Sequence, residues 1–220
     1  MSIATRLSTA ADAGITRIGQ IAFLPAAGEW RHRLCHVEDA ADAENTGSLE
    51  CHDGPAAARD LSTWAEDGHY RFTKGELSLK RGWLMRLRSP EELLNALDGF
   101  YPAAVSLWLA EKEGRLEIQH LRAKLNRQTG MYRFARDLSD AGAQKLVREV
   151  CGPGNCCVKK ILWQLDESTP LEDSPATRYD GVVGDDVPRS TAIPLLCREA
   201  CNHFVAEARK AAKEEKRATA

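Results

Sequence analysis

The chain has 220 residues, 43% of them hydrophobic, with 30 basic against 32 acidic side chains and a formal net charge of -2. That size suffices for one larger domain or two small ones around a sizeable core, and the near-balance of charge excludes a global field that would draw the chain to nucleic acid or an anionic membrane surface. Charged residues interrupt every apolar run before the roughly 18 to 20 residues that a spanning helix needs, so no membrane partner and no nucleic-acid partner are expected.

Residues 1–25 mix Ser, Thr, Ala and Gly with few large side chains, the composition of a weakly ordered, variable leader. Arg6 and Arg17 lie there, but no apolar block of about 7 to 15 residues ends at a small-residue cleavage site, which makes the cytoplasm the expected location. Residues 30–37 alternate as a strand does, an acidic, Ala-rich loop follows over 38–48, and 49–52 form a second short strand. Pro55 opens a helix to about residue 66. Residues 69–73 and 82–87 read as strands punctuated by Gly75 and Gly82.

Ser89-Pro90-Glu91-Glu92 carries a cap, a proline suited to the first helical position and two acids for the positive helix end, which predicts a helix to about residue 99. A second helix is expected over 102–112, with Ala104, Leu107, Trp108 and Ala110 available for burial. Residues 116–121 read as a strand and Arg127 to Arg133 as a turn with a basic rim. Ser139-Asp140 then caps a helix whose Ala143, Leu146, Val147 and Val150 share one face and which delivers Cys151. An apolar run over 161–163 and an acidic loop over 166–189 lead to a final helix, about 194–213, whose basic end suits the negative helix terminus. The fold class expected is α+β, a mixed small N-terminal domain followed by a mainly helical, loop-rich domain.

Five of the seven cysteines fall between 151 and 201, as Cys151-x4-Cys156-Cys157 and, 39 residues on, Cys197-x3-Cys201. In a reducing compartment such clustering serves metal binding or redox chemistry rather than a disulfide framework. Cys197 and Cys201, four apart on the expected final helix, project from one face. The loop Gly152-Pro153-Gly154-Asn155 lets backbone amides approach sulfur. Loop and helix together supply four thiolates, the number that a 4Fe-4S cubane takes. Adjacent cysteines cannot easily both face one centre, so one of Cys156 and Cys157 packs in the core. A structural zinc site also uses four thiolates, but its knuckles leave about two to four residues between ligands. Ordinary buried or redox thiols are the third reading. The spacing Cys151-x5-Cys157 with Cys197-x3-Cys201 resembles the two-part cysteine pattern of sulfite and nitrite reductases, a precedent for cluster geometry only.

Cys35-His36 and Cys51-His52 form a second candidate set, since both residue types bind zinc. Neighbours in a strand face opposite sides, so each pair offers one ligand easily, and a buried free cysteine is the stronger reading. Lys159, Lys160 and Arg198 sit beside the clustered cysteines, and Arg122, Lys124, Arg127 and Arg133 make another basic group. These either offset cluster charge and receive an anionic ligand such as a tetrapyrrole carboxylate, or stand as solvated surface charge. His203 reads as a helix-surface residue.

Tyr101-Pro102, then Arg127-Gln128-Thr129-Gly130-Met131-Tyr132-Arg133, then Cys157-Val158-Lys159-Lys160-Ile161-Leu162-Trp163, then Cys197-x3-Cys201-Asn202 together resemble the C-terminal half of multi-domain CbiX-type chelatase-like proteins. In that family a cobalamin-pathway chelatase region is followed by a small stabilising domain and a 4Fe-4S-binding domain. The resemblance spans about residues 30–210. It implies that Cys151, Cys157, Cys197 and Cys201 are the cluster ligands. It also implies a stabilising α+β domain over 26–136, after the leader at 1–25, a cluster domain over 137–214 and a charged tail at 215–220. The chain leaves no room for the chelatase modules, so chelatase activity is not carried over. The function expected is a 4Fe-4S accessory protein, redox or structural, partnering a separate chelatase or redox protein in cobalamin or tetrapyrrole biosynthesis. Two alternatives stand beside it. One is a cluster-containing enzyme or carrier in which Arg127, Tyr132 and Lys160 hold an anionic tetrapyrrole, and the other is a zinc-stabilised interaction module.

Overall fold

The computed structural model describes residues 1–41, 48–63, 79–151, 157, 159–167 and 191–218. In chain order these form α1 (Ile3–Asp12), β1 (Arg17–Ile18), β2 (Ile21–Leu24), β3 (His32–His36), β4 (Glu50–Asp53), α2 (Ala58–Thr63), β5 (Trp83–Leu87), α3 (Pro90–Phe100), α4 (Ala104–Lys112), α5 (Leu121–Asn126), α6 (Asp140–Leu146), β6 (Lys160–Ile161), β7 (Ala192–Ile193), β8 (Leu196–Cys197) and α7 (Asn202–Ala218). The fold is α+β, and its residues divide into two compact units, one drawing on Met1–Arg115 and the segment ending at Leu195, the other on residues from Leu116 and again from Leu196.

Period-two alternation builds the first unit. Its sheet runs β4-β5-β3-β2-β1-β7, antiparallel from β5 to β1 and parallel at both margins. Leu34 stands opposite Phe23 and Met85, and His32 opposite Leu87, so Ile18, Ile21, Leu34, Trp83, Met85 and Leu87 share one face and are fully buried. Helices cover that face. Trp83 stacks on Phe100 of α3 with ring centroids 5.0 Å apart, and the Ser8 hydroxyl of α1 meets His32 Nε2 at 3.3 Å. The residues expected as a weakly ordered leader, 1–25, are therefore ordered as α1, β1 and β2. Their large side chains are few, but Leu7, Ile18 and Ile21 are all fully buried, and the Ser2 hydroxyl caps α1 by accepting the Thr5 N–H.

Gly19 makes the β1–β2 turn with φ +54°, where a Cβ would lie 2.8 Å from the Tyr101 ring. The Tyr101 hydroxyl instead accepts the Gln20 N–H at 3.1 Å, and the Gln20 side chain joins His36 Nε2 and accepts the Leu79 N–H. The Ser89 cap is present as expected, accepting the Glu92 N–H at 3.2 Å. The expected helix from Pro55 is seen as α2, and the strand expected at 69–73 lies outside the described residues.

The second unit packs Leu121, Leu125, Leu146, Val147, Ile161, Trp163, Leu165, Phe204 and Val205 into one core. Ser139 caps α6 by accepting the Gly142 N–H, while its own N–H and hydroxyl donate to Glu215 of α7 at 2.9 and 2.8 Å. Three expectations change here. The strand over 116–121 reduces to a single bridge, His120 to Gln164, because Leu121 and Leu125 are both buried one helical turn apart and draw the chain into α5. The basic turn continues as a 3-10 helix, Gly130–Asp137. The final helix starts at Asn202 rather than near 194, since Pro194 biases Ile193 towards extended backbone and Leu196–Cys197 pair in parallel with Lys160–Ile161. Among the described residues no helix is long and apolar enough to cross a membrane.

Candidate metal centre

Cys197 lies on β8 in register with Ile161, and its carbonyl accepts the Leu162 N–H at 3.0 Å. The strand pair thus fixes the backbone that carries the sulfur. Trp163, only 3% exposed, donates its indole N–H to Cys197 Sγ at 3.4 Å, and the Cys197 thiol donates to the Glu199 carbonyl at 3.2 Å. Cys201 stands one residue before α7, where its sulfur accepts the Phe204 N–H at 3.4 Å. That satisfies one of the free amides of the helix start and places the sulfur at its positive end. Cys197 and Cys201 are therefore not two positions on one helix face, as the four-residue spacing predicts, but a strand residue and a helix cap.

Cys151 ends a π turn, Val147–Cys151, that prolongs α6, and it packs half-buried against the unit's core. Cys157 is half-buried too. The loop at 152–155, Cys156, and with them the choice between Cys156 and Cys157, lie outside the described residues. Burial pushes the Cys151 thiol up strongly, and the nearby Cys157, Cys197 and Cys201 thiols push it the same way. Cys197 is pushed up to about 11, chiefly by burial, with the Trp163 hydrogen bond and the Lys159 charge opposing and Cys157 and Cys201 reinforcing it. Like groups act on one another only at short range, so the four thiols share one neighbourhood. Among the described residues no three Cys, His, Asp or Glu side chains are gathered into a single-ion site. A cubane sets its four sulfurs around an inorganic core, further apart than the ligands of one ion. Four thiols with two N–H donors aimed at them fit such a core.

The second candidate set does not converge. Cys35 and Cys51 both stand opposite Leu84, on the strands either side of it, two strand spacings or about 10 Å apart, whereas zinc needs each sulfur at about 2.3 Å. Cys35 is fully buried against Ala22 and Leu84, His36 accepts the Glu38 N–H, Cys51 is exposed and His52 lies by Glu50. Of the basic group, Arg122 pairs with Asp140 and Lys124 with Glu199, while Arg133 lies over the Phe134 ring. Tyr132 is 39% exposed beneath Arg209, Lys160 is half-buried on β6, and Arg198 and His203 are exposed. Trp163 and the Phe204 amide are the functional contacts that sequence reading missed. The one available signal was that a buried indole ordinarily finds a partner for its N–H.

Residues 113–210 match the family described as a 4Fe-4S iron-sulfur cluster binding domain, and residues 4–112 match the DR2241 stabilising domain family. The chain thus matches, in order, a stabilising domain and a 4Fe-4S iron-sulfur cluster binding domain. Over 96% of its length it is similar, at 25% identity and a TM-score of 0.73, to DR2241 from Deinococcus radiodurans. That protein is described as multi-domain, with structural similarity to chelatases but also two additional novel domains, and this chain spans 41% of it. No curated protein matches the chain.

Proposed function

We propose that the chain holds one 4Fe-4S cluster on Cys151, Cys157, Cys197 and Cys201 and serves, in the cytoplasm, as a redox or structural accessory to a separate chelatase or other enzyme of cobalamin or tetrapyrrole biosynthesis. The observation that supports the ligand set is that Cys151 and Cys197 pack against one core, with Cys201 four residues on at the cap of α7, in a domain matched by the 4Fe-4S-binding family. The link to tetrapyrrole chemistry is supported by the similarity to a protein with structural similarity to chelatases.

When bound, the cluster supplies one-electron chemistry or a covalent fastening. The chain's own residues do the rest. The paired strands β6 and β8 hold Cys197, the cap of α7 holds Cys201, the π turn presents Cys151, and the surrounding core half-buries Cys151 and Cys197 while Cys201 stays exposed. Each thiol sheds its proton to become a ligand, so assembly releases protons and weakens in acid.

Anaerobic purification tests the reading. A brown protein with about four irons per chain, absorbing broadly near about 400 nm and bleached by dithionite, is expected. Cys157→Ser is expected to deplete the iron and Cys156→Ser to leave it. A colourless protein containing zinc would sink the proposal in favour of an interaction module. A second reading, an enzyme or carrier, rests on Arg127, Tyr132 and Lys160 as anion-holding groups. Arg127 makes no ion pair among the described residues, which favours it. Added sirohydrochlorin whose own spectrum shifts on mixing would support this second reading, and an unchanged spectrum would dismiss it.

A further inference from the structure

The two residues of one aromatic pair each supply an N–H donor to a sulfur of the second cysteine pair. The Trp163 and Phe204 rings pack edge to face, 5.5 Å between centroids and 66° between planes. The Trp163 indole N–H donates to Cys197 Sγ, and the Phe204 backbone N–H donates to Cys201 Sγ, each at 3.4 Å. The two donors differ in kind. The Phe204 amide belongs to the helix start and any residue but proline supplies it there, whereas the indole N–H exists only because position 163 is tryptophan. The Cys197 thiol donates a hydrogen bond to the Glu199 carbonyl. As a ligand the sulfur has no proton to give, and the indole remains aimed at it.

We propose that Trp163 is a positioning residue that sets the reduction potential of the cluster, its ring fixed by the buried Phe204 ring and its indole N–H held on the Cys197 sulfur. The inference rests on the ligand set proposed above. Reduction adds negative charge to the core and its sulfurs, and a hydrogen-bond donor stabilises the more negative state, so the bond raises the potential. Trp163 is not among the proposed ligands. It acts through Cys197.

The test is Trp163→Phe in the whole chain, which keeps a ring against Phe204 and removes the N–H. Iron content equal to the parent's is expected, with the one-electron equilibrium shifted about tenfold towards the oxidised state, a fall of about 59 mV in midpoint potential by spectroelectrochemical titration. Full iron at the parent's potential overturns the inference. If Trp163→Phe takes up no iron, benzothienylalanine incorporated at position 163 decides, because it keeps the indole shape with ring sulfur in place of N–H. A lowered potential, or loss of iron with the circular dichroism unchanged, supports the role, and the parent's potential overturns it. A parent chain that binds no iron overturns the ligand set and this inference together, an outcome distinct from an intact cluster that is indifferent to residue 163.

Discussion

Cys35 and Cys51 flank Leu84 from adjacent strands yet live in opposite surroundings. Burial foremost, with Asp39 adding to it, pushes the Cys35 thiol up to about 12 from its ordinary 9.0, while Cys51 is exposed. Since the thiolate is the nucleophile, iodoacetamide is expected to alkylate Cys51 in the folded protein and spare Cys35, read by peptide mass spectrometry. Rapid labelling of Cys35 would mean that the cluster with Ala22 and Leu84 opens readily. The folded thiol also keeps its proton to higher pH than the unfolded one. The stability this confers is whole below about pH 9 and drains away as the pH rises towards about 12, so urea midpoints are expected to fall over that window and to fall less in Cys35→Val. Sequence reading preferred burial to zinc here because neighbours in a strand face opposite ways. It had no means of seeing the Gln20 bond to His36.

Helix starts were the elements most legible in advance, because a cap acts on an amide two or three residues away. Ser89 and Ser139 both cap as their contexts predict. Ser89→Ala is expected to cost about 1 kcal/mol. Ser139→Ala is expected to cost a further few tenths to about 1 kcal/mol, because the hydroxyl also donates to Glu215 at the far end of α7. Denaturant midpoints measure both, and equal losses would leave the Glu215 clasp without energetic weight. The start of α7 was the least legible. Apolar and basic residues from 194 onward satisfy a helical pattern, but the parallel pairing of Leu196–Cys197 with Lys160–Ile161 claims the first part of that segment for a strand. Cys201 therefore reaches the candidate site from a helix cap, not from the helix face beside Cys197.

At the scale of the whole chain, sequence order and structural order part company. The Thr16 hydroxyl and N–H both donate to the carbonyl of Thr191, 175 residues away, so the first unit's sheet is completed by a strand from near the chain's other end. A cluster stabilises the segments that its ligands tie together. Stripping iron with a chelator is expected to speed amide exchange in α6, β6, β8 and the first turns of α7, and to leave α3, β3 and β5 close to their protection in the loaded protein. Hydrogen–deuterium exchange read by mass spectrometry checks this, and a uniform loss of protection would contradict it. Lowering the pH is expected to release iron by the same linkage, since each ligand must be a thiolate.

The sequence alone determined what neighbours along the chain decide. It placed the serine caps, the alternation of β3 and β5, the burial stripe of α6 and the gathering of cysteines after position 150, because each depends on contacts within about one helical turn or one strand. Only the tertiary structure decided that residues 1–25 belong to a core, that Cys197 sits on a strand, and that Trp163 aims its N–H at a sulfur 34 positions further on. Those outcomes depend on which distant surfaces bury one another. Local spacing carries no record of that choice, since the same apolar run satisfies a helix or a strand until a partner claims it.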